Sequence, residues 1–459
     1  MKKYIAIACC LALNATAFAQ ETEAMQDLKA EVNEGIVKFE TEDGKYSFRV
    51  GARVDLDGSL YFDDYTDRGS GADISTARVR VISKLGNKFD FKLDIDFMSK
   101  TFLKDAYLRW HSNKNGFVRI GHFAEPFSAE NIQSTMDYPF IAKSATTQAF
   151  GTGRALGISY RYYHPYFWGE GGVFSEKLHE NHKQGDMGWA ATARLLGRVQ
   201  GEDWHVHTGG SLSYRRPDAN GFTNGNDDYN RTVTFASNLE SSIDDTKFLS
   251  VTANNAKHIY KYNVELMGHY KKFYLKGEWT GVDVDRERDW NALAQSYVGT
   301  MMGAWFPTAD SWKAFLGDDH DYSFSGYSAE VGVIAIGGDY KYNSVDAMMR
   351  RPKGKTLEFV ARYNHTNLED IVPGSIFYNN GYTGTGFYSN PTMIEWYMTN
   401  DSAAGGVADT FTFGVNYYIT NYIVARLDYS YTHLDQPYNL NFCNDKNLHA
   451  IQARIGFEF

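Results

Sequence analysis

Apolar and polar residues alternate strictly along the stretch from Tyr46 to Phe62. Every second residue is apolar or small, and the residues between them include Arg49, Arg53 and Asp55. Because successive side chains of a β-strand point to opposite faces, this pattern predicts a strand with one apolar and one charged face. The stretch is longer than the roughly 9–11 residues with which a tilted strand crosses a bilayer. A strand of a large soluble β-sandwich is the alternative interpretation.

The same alternation recurs along the chain and predicts sixteen strands. They lie near residues 46–62, 74–85, 88–98, 103–112, 116–123, 153–163, 165–175, 187–199, 203–214, 258–270, 271–283, 326–339, 355–366, 407–418, 422–433 and 447–459. In the last strand, Ile451, Ile455 and Phe457 share one face, and Gln452 and Arg454 share the other. An even number of strands is typical of single-chain outer-membrane barrels. The sequence therefore predicts an all-β fold, a transmembrane antiparallel β-barrel of about 16 strands.

The connections between the predicted strands differ in length in a regular way. Most even-numbered strands are followed by tight turns, such as Gly86-Asn87 and Thr420-Asn421. The long loops lie near residues 124–152, 215–257, 284–325 and 367–406. An outer-membrane barrel has short periplasmic turns and longer extracellular loops, so this pattern favours a barrel over a sandwich. The connection near 340–354 is too long for a tight turn and indicates either a folded turn or a miscounted strand.

The chain begins with the pattern of a secretory signal peptide. Two lysines precede an apolar run from Tyr4 to Leu13, and the sequence Ala-Phe-Ala precedes Gln20. A charged start, a short apolar run and a small-residue cleavage site are typical of such peptides. The predicted organisation is a signal peptide at 1–19, an N-terminal periplasmic segment at 20–45 and the barrel domain at 46–459. Within that segment, we expect the acidic and polar stretch from Glu21 to Glu40 to form a short helix or to stay loose in the periplasm.

Composition narrows the possible functions. The formal net charge is -10 at pH 7, which disfavours nucleic acid as a partner. The mean hydropathy of -0.45 would suit a soluble protein, but a barrel with a polar lumen gives a similar value because only alternate residues contact lipid. Aromatic residues make up 15% of the chain, which favours aromatic girdles at the membrane interfaces. After removal of the signal peptide Cys443 is the remaining cysteine, and it cannot form an internal disulfide.

Basic residues are frequent on the predicted inward face, above all on the first five strands. The candidate channel-lining or anion-binding residues are Arg49, Arg53, Arg78, Arg80, Lys84, Arg109, Arg119, Lys143 and Arg154. A barrel of sixteen strands leaves an aqueous channel, and a ring of arginine and lysine in such a channel favours anions. The alternative is that these charges pair across neighbouring strands and only keep the wall polar.

The loop near residues 123–153 follows the fifth predicted strand and is expected to fold into the lumen as a constriction loop. Its candidate lining residues include the acids Glu125, Glu130 and Asp137, with Lys143 as a basic residue among them. Acidic residues at the narrowest point would oppose a preference for anions. An ordinary surface loop is the alternative interpretation.

Five segments resemble, in order, the phosphate-selective porin O and P family of outer-membrane porins. The first, Gly121–Glu130, resembles the family's G-x-F-x-x-P-F-S-x-E segment. The other four are Gly151–Gly157, Gly326–Tyr342, Lys355–Asp370 and Gly414–Asp435. The resemblance implies a sixteen-stranded homotrimeric porin with an inward third loop that passes anions such as phosphate. In that family an arginine ladder and a lysine cluster carry the anions, and the acids of the third loop depart from this pattern.

The sequence thus predicts a bacterial outer-membrane porin, exported by its signal peptide. It would form a water-filled channel for passive diffusion of small hydrophilic solutes, with a preference for anions such as phosphate. A general or sugar-permeable porin without phosphate specificity is the alternative, because Tyr and Trp in a lumen could stack on sugars. The expected partners are outer-membrane lipid, small anions or other small solutes and further copies of the chain in a homotrimer.

Other classes of protein are weaker interpretations of the sequence. No catalytic residues are assigned, because no G-x-S-x-G or comparable motif accompanies histidines such as His258, His269 and His365. No metal site or cofactor is expected, because no ligand spacing for either appears. A TonB-type receptor would need about 22 strands and a plug. A soluble secreted adhesin remains as a rival that membrane extraction would separate from a barrel.

Overall fold

The computed structural model describes residues 28–33, 36–62, 68–175, 186–219, 231–316, 319–370, 402–435 and 447–458. Its strands are β1 (Leu28–Asn33), β2 (Ile36–Thr41), β3 (Tyr46–Tyr61), β4 (Gly71–Leu85), β5 (Phe89–Asp96), β6 (Leu103–Asn113), β7 (Gly116–Ala124), β8 (Arg154–His164), β9 (Phe167–Ser175), β10 (Trp189–Gln200), β11 (Trp204–Arg216), β12 (Thr232–Ser237), β13 (Leu249–Asn254), β14 (Ala256–Tyr270), β15 (Phe273–Arg286), β16 (Tyr322–Ile336), β17 (Lys341–Asn343), β18 (Met348–Arg350), β19 (Thr356–Asp370), β20 (Ala403–Tyr418), β21 (Ile423–Asp435) and β22 (Asn447–Glu458). Its helices are α1 (Ala129–Ile132), α2 (Ala145–Phe150), α3 (Trp290–Ser296), α4 (Met301–Trp305) and α5 (Ala309–Leu316).

Sixteen strands close into one antiparallel barrel, which confirms the predicted fold class. Strands β3–β11, β14–β16 and β19–β22 pair each with the next, and β22 pairs back onto β3 with Ala450 opposite Tyr61 and Glu458 opposite Arg53. Each predicted strand range overlaps one of these barrel strands. Closure pairs the last strand with the first, which leaves no sheet edge in the barrel wall.

The alternation of side chains sorts the two faces of the wall as predicted. On β19, Phe359 is 44% exposed on the outer face, whereas its neighbours Glu358 and Arg362 are 1% and 3% exposed on the inner face. On β22, Ile455 is exposed and Arg454 is buried. The apolar side chains therefore form the outer surface, and the charged ones point inward.

The N-terminal segment adds two strands at the end of the barrel that carries the short turns. Strands β1 and β2 form a hairpin, and β2 pairs with β3 from Val37 opposite Val50 to Glu40 opposite Ser47. The expectation of a short helix or a loose chain is therefore wrong for the residues of β1 and β2. The free edge of β3 below its ladder with β22 provided a place where a hairpin could pair. The predicted signal peptide at 1–19 lies outside the described residues.

Two connections carry short hairpins of their own. Strands β12 and β13 pair with each other between β11 and β14, and β17 and β18 pair with each other between β16 and β19. The connection near 340–354 is thus a folded turn rather than a miscounted strand. Residues of strands β12 and β13 and of helix α2 pack with inward residues of the wall in one apolar cluster. Its members include Phe150, Phe235, Leu249, Val282 and Phe324. This cluster fills part of the lumen on the β14–β19 side.

The connection between β15 and β16 carries α3, α4 and α5. No helix among the described residues is long and apolar enough to span a membrane.

Candidate channel and its lining

A polar cavity of about 340 Å³ lies against the inward faces of β4–β9, and we call it the lumen cavity. Its other walls are the connection between β7 and β8, here named the inner loop (residues 125–153), and the hairpin β17–β18. The basic side chains in its lining are Arg78, Arg80, Lys92, Arg109, Arg119, Lys143, Arg154, Arg161 and Arg350. The acidic side chains in its lining are Asp94, Asp105, Asp137, Glu170 and Asp346. Basic groups therefore outnumber acidic groups by nine to five around this cavity.

Several arginines of the wall form ion pairs with carboxylates of the neighbouring strand. Arg80 Nε lies 3.0 Å from Asp94, and Arg109 Nε lies 2.7 Å from Asp90. Opposite residues of an antiparallel pair are close enough for such contacts. The interpretation that wall charges pair across strands is therefore correct for these residues. Arg109 is bound through its Nε alone, whereas both terminal nitrogens of Arg80 also contact Met136 Sδ of the inner loop at 3.6 Å.

Three further arginines of the cavity lining are paired with carboxylates, two of them with carboxylates two strands away. Arg154 Nε lies 3.0 Å from Asp105, and Arg119 pairs with the buried carboxylate of Glu170. Arg78 Nε lies 2.9 Å from Asp96. Of the nine predicted basic residues, the lumen cavity is lined by Arg78, Arg80, Arg109, Arg119, Lys143 and Arg154.

The other three predicted basic residues are not part of the cavity lining. Arg49 is exposed and lies opposite Lys38 of β2, so it belongs to the part of β3 below the closing strand. Lys84 Nζ donates to the carbonyl of Gly44 at 2.7 Å at the same end of the barrel. Arg53 is buried and pairs with Asp55 at 2.6 Å while its Nη1 donates to Thr135 Oγ1. Alternation showed that these residues face inward, but not how deep along the strand they lie.

Three basic residues of the cavity lining were missing from the predicted set, namely Lys92, Arg161 and Arg350. Arg161 on β8 lies in phase with Ser159 on the inward face, so the alternation in the sequence was sufficient to find it. Arg350 belongs to hairpin β17–β18, whose three-residue strands are too short to show any period. Its position depends on the path of the connection and could not be read from the sequence.

The acids Glu125 and Glu130 are fixed inside the protein and do not line the lumen cavity, contrary to the prediction. Both side chains are fully buried. Glu125 accepts hydrogen bonds from Arg215 Nη2 at 2.7 Å and from Thr192 Oγ1 at 2.8 Å. A carboxylate with such partners is neutralised locally and opposes anions much less than a free one. Asp137, in contrast, does line the cavity.

Glu130 holds the inner loop together from within. Its carboxylate accepts hydrogen bonds from Tyr138 Oη at 2.6 Å and from the backbone N–H of Ser144 at 2.6 Å. Lys276 Nζ and Arg362 Nη1 lie 3.9 Å and 3.8 Å from it. Although burial opposes ionisation, these two cations hold the pKa of Glu130 well below its usual value. The loop is therefore folded around an ionised carboxylate.

The inner loop is also bonded to inward-facing groups of strands far along the sheet. Glu278 of β15 accepts hydrogen bonds from Ser128 Oγ at 2.5 Å and from the backbone N–H of Glu130 at 2.7 Å. Asp428 of β21 accepts one from the N–H of Ile141 at 2.7 Å. Ser128 has a positive φ of 59°, and its Oγ caps α1. These contacts place the loop against the inner side of the wall.

Lys143 differs from the wall arginines because no carboxylate among the described residues lies within ion-pair distance of it. Its Nζ donates to the carbonyl of Asn131 at 2.6 Å. Burial lowers the pKa of Lys143 to about 8. Lys143 therefore carries a positive charge in the lumen cavity at neutral pH, and it loses this charge as the pH rises through about 8.

Hairpin β17–β18 docks on β8–β11 through its backbone oxygens and one tyrosine. Arg198 Nη1 donates to the carbonyl of Ser344 at 2.7 Å, and Trp168 Nε1 donates to that of Val345 at 2.9 Å. Tyr342 Oη lies 2.7 Å from His207 Nδ1. The hairpin thus narrows the lumen from the end with the short turns. No group of three or more His, Cys, Asp or Glu side chains in the described part of the chain is arranged to hold a metal ion.

Comparison with solved structures shows the fold of an outer-membrane protein. The loop L8 deletion mutant of OmpT from Vibrio cholerae is 10% identical with a TM-score of 0.50, over 90% of this chain and 100% of that chain. OprB of Pseudomonas putida at high pH is 11% identical with a TM-score of 0.48, over 91% and 95%. An anion-selective porin from Comamonas acidovorans is 12% identical with a TM-score of 0.46, over 90% and 100%.

Comparison of sequences gives the family. No curated protein matches the chain. The family model of the phosphate-selective porins O and P matches residues 48–459, which include all sixteen barrel strands except the first two residues of β3. The chain therefore belongs to the family of phosphate-selective porins O and P.

Proposed function

We propose that this outer-membrane porin prefers small anions, phosphate among them, over cations. The observation that carries the proposal is the excess of basic over acidic side chains in the lumen cavity, nine against five. The description of its family as phosphate-selective supports the same direction. The solute class is therefore inferred from the lining of the pore and not from the composition of the whole chain.

The net charge of the chain would suggest the opposite selectivity. The formal charge is -10 at pH 7, but charges on exposed loops are screened over about 8 Å at physiological salt. Charges that line a cleft with low-dielectric walls act more strongly, because the walls focus their field. The local excess of basic groups in the lumen cavity should therefore outweigh the acidic surface.

The chemistry of the basic groups suits oxyanions. Arg109 and Arg154 bind their aspartates through Nε, at 2.7 Å and 3.0 Å. No hydrogen bond of their Nη groups is formed within the described residues. A guanidinium offers paired N–H donors that match the oxygens of phosphate. A succession of half-satisfied guanidiniums can pass an oxyanion along the wall without binding it too tightly to leave.

The inner loop is proposed as the constriction. Its residues Gln133, Ser134, Thr135 and Asp137 face the basic wall across the lumen cavity. Glu125 and Glu130 of the same loop are buried in ion pairs. Asp137 is therefore the acidic residue of this loop that a passing ion would meet, so the loop need not reverse the preference set by the wall.

Reversal potentials of the purified protein in planar bilayers test this function. With a potassium chloride gradient we expect a potential with the sign of chloride preference, and added phosphate should reduce the chloride current. Arg109→Gln should lower the chloride preference, because it removes a charge from the cavity lining. A cation-selective reversal potential would overturn the proposal and leave a general porin. Chloride preference without block by phosphate would remove phosphate from the proposed solutes.

We also infer export by the signal peptide 1–19 and assembly into a homotrimer. The resemblance of the chain to its family supports the trimer, and the pattern at the N terminus supports export. Separation on a gel without heating, compared with a heated sample, distinguishes a trimer from a monomer. N-terminal sequencing of the purified protein would show cleavage after Ala19.

A further inference from the structure

The tip of hairpin β17–β18 presents oxygen atoms to arginines of the wall, as an anion would. Arg161 Nη1 donates to Asp346 Oδ1 at 2.8 Å and to the carbonyl of Val345 at 3.2 Å. Asn343 of the same hairpin donates to the second oxygen of Asp346. The carboxylate is thereby held against the guanidinium by the fold of the hairpin itself.

The remaining nitrogens of Arg161 are already occupied. Its Nε lies 2.8 Å and its Nη2 2.7 Å from Glu170 Oε2. Glu170 is fully buried and also pairs with Arg119. Nη1 is therefore the nitrogen of Arg161 that reaches the lumen cavity, and the Asp346 carboxylate covers it.

The two partners differ in their access to water. The side chain of Arg161 is 7% exposed, whereas that of Asp346 is 49% exposed. Both belong to the lining of the lumen cavity, together with Arg109 and Arg350. An anion in the cavity can therefore reach the position of the carboxylate without any movement of the barrel wall.

We propose that Asp346 is a tethered counter-anion, which occupies on Arg161 the position of a small oxyanion and so sets the affinity of the pore for anions. This inference rests on the proposed anion function. Carboxylate and phosphate oxygens are equivalent acceptors for a guanidinium. Because Asp346 is part of the chain, it competes at a high effective concentration with any free anion. Because the Asp346 side chain is half exposed, a free anion can displace it from Arg161. The carboxylate can displace that anion in turn, so the anion stays mobile.

The charge of Asp346 is present throughout the neutral range. Burial acts against ionisation, but Arg161 outweighs it and lowers the pKa of Asp346 below its usual value. The pair Arg161 and Asp346 therefore contributes no net charge to the cavity. Removal of the carboxylate charge would leave one cationic nitrogen facing the channel.

Asp346→Asn tests the inference, because the amide oxygen can still accept a hydrogen bond from Arg161 while the charge is lost. We expect stronger chloride preference and a half-blocking phosphate concentration that falls about two- to fivefold, the range expected for a partly exposed ion pair. Asp346→Glu keeps the carboxylate charge and should show the same phosphate block as the unchanged protein. Asp339→Asn is the matched control, because it removes the same charge from the exposed part of the same connection, outside the cavity lining.

The double variant Asp346→Asn with Arg161→Gln separates a local effect from a general one. The gain in phosphate block should disappear in this variant. The inference is overturned if Asp346→Asn leaves the block unchanged or weaker, or if Asp339→Asn has the same effect. The unchanged protein reports on the proposed function by the sign of its reversal potential, and the variants report on Asp346 by their shift from that value.

Discussion

Glu130 provides the most direct test of how the inner loop is held in the lumen. We expect Glu130→Gln to keep the shape of the side chain but to remove the charge that faces Lys276 and Arg362, at 3.9 Å and 3.8 Å. The amide would also place an N–H group where the carboxylate now accepts hydrogen bonds from Tyr138 and Ser144. The loop should then detach more readily from β15 and β19.

The size of the effect follows from the burial of this group. Glu130 is fully buried, and removal of one partner of a buried ion pair costs about 3–5 kcal/mol. The sixteen strands remain joined by their ladder, so this loss falls on the docking of the loop and not on the closure of the barrel. A change of 3 kcal/mol shifts the equilibrium between docked and undocked loop by roughly a hundredfold.

Single-channel conductance in planar bilayers measures the outcome. An undocked loop should widen the path, so Glu130→Gln should give larger and noisier single-channel currents, and Glu130→Ala should give the same or more. Asp137→Asn is the control, because it removes an acidic charge from the same loop at a side chain that lines the cavity, while the amide oxygen can keep the hydrogen bond from the N–H of Arg351 at 3.1 Å. Heat-modifiable mobility on gels confirms that each variant forms a barrel. A folded Glu130→Gln with the conductance and noise of the unchanged protein would refute the reasoning.

Two further predictions follow from other parts of the structure. Burial lowers the pKa of Lys143 to about 8, so its charge is present below pH 8 and lost above it. The chloride preference from reversal potentials should therefore fall between pH 7 and pH 9, and a profile that stays flat, or a fall that persists in Lys143→Met, would contradict this. Phe359 lies on the lipid face, where arginine costs roughly 2–4 kcal/mol at mid-depth. Phe359→Arg should hinder heat-modifiable barrel formation and Phe359→Leu should not, whereas normal assembly of the arginine variant would show that the face is assigned wrongly.

The strands were predictable because the alternation that indicates each strand lies within the strand's own sequence. A period of two over ten or more residues fixes both the strand and the face, and for Ile455 and Arg454 the structure has the predicted sides. Strands β17 and β18 have three residues each, too few to show a period. The N-terminal hairpin depends on the part of β3 that β22 leaves unpaired, and the length of that part is set by the register of the closed barrel.

The roles of individual charges were much less predictable than the strands. Glu125 and Glu130 stand in a polar loop whose sequence predicts exposure, yet their partners Arg215, Lys276 and Arg362 lie far away in the sequence. Only the path of the loop through the barrel brings them together. The role of Arg49 was not predictable for a similar reason. Arg49 fits the alternation, but it lies beyond the end of β22, and alternation does not give the position of a residue along the barrel axis. The two-residue period predicts on which face of the barrel wall a residue lies, whereas tertiary packing decides which residues it contacts.

The N-terminal hairpin also limits the register of the last strand, because β2 and β22 pair with the same edge of β3. A slide of β22 by two residues toward the short turns would keep every side chain on its present face, so the alternation alone could not prevent it. Such a slide would bring Glu458 opposite Gly51 and the next residue opposite Val50. That position is already paired with Val37 of the N-terminal hairpin. The hairpin therefore prevents a slide of the final strand toward the short turns, although the shifted position would sort inside and outside equally well.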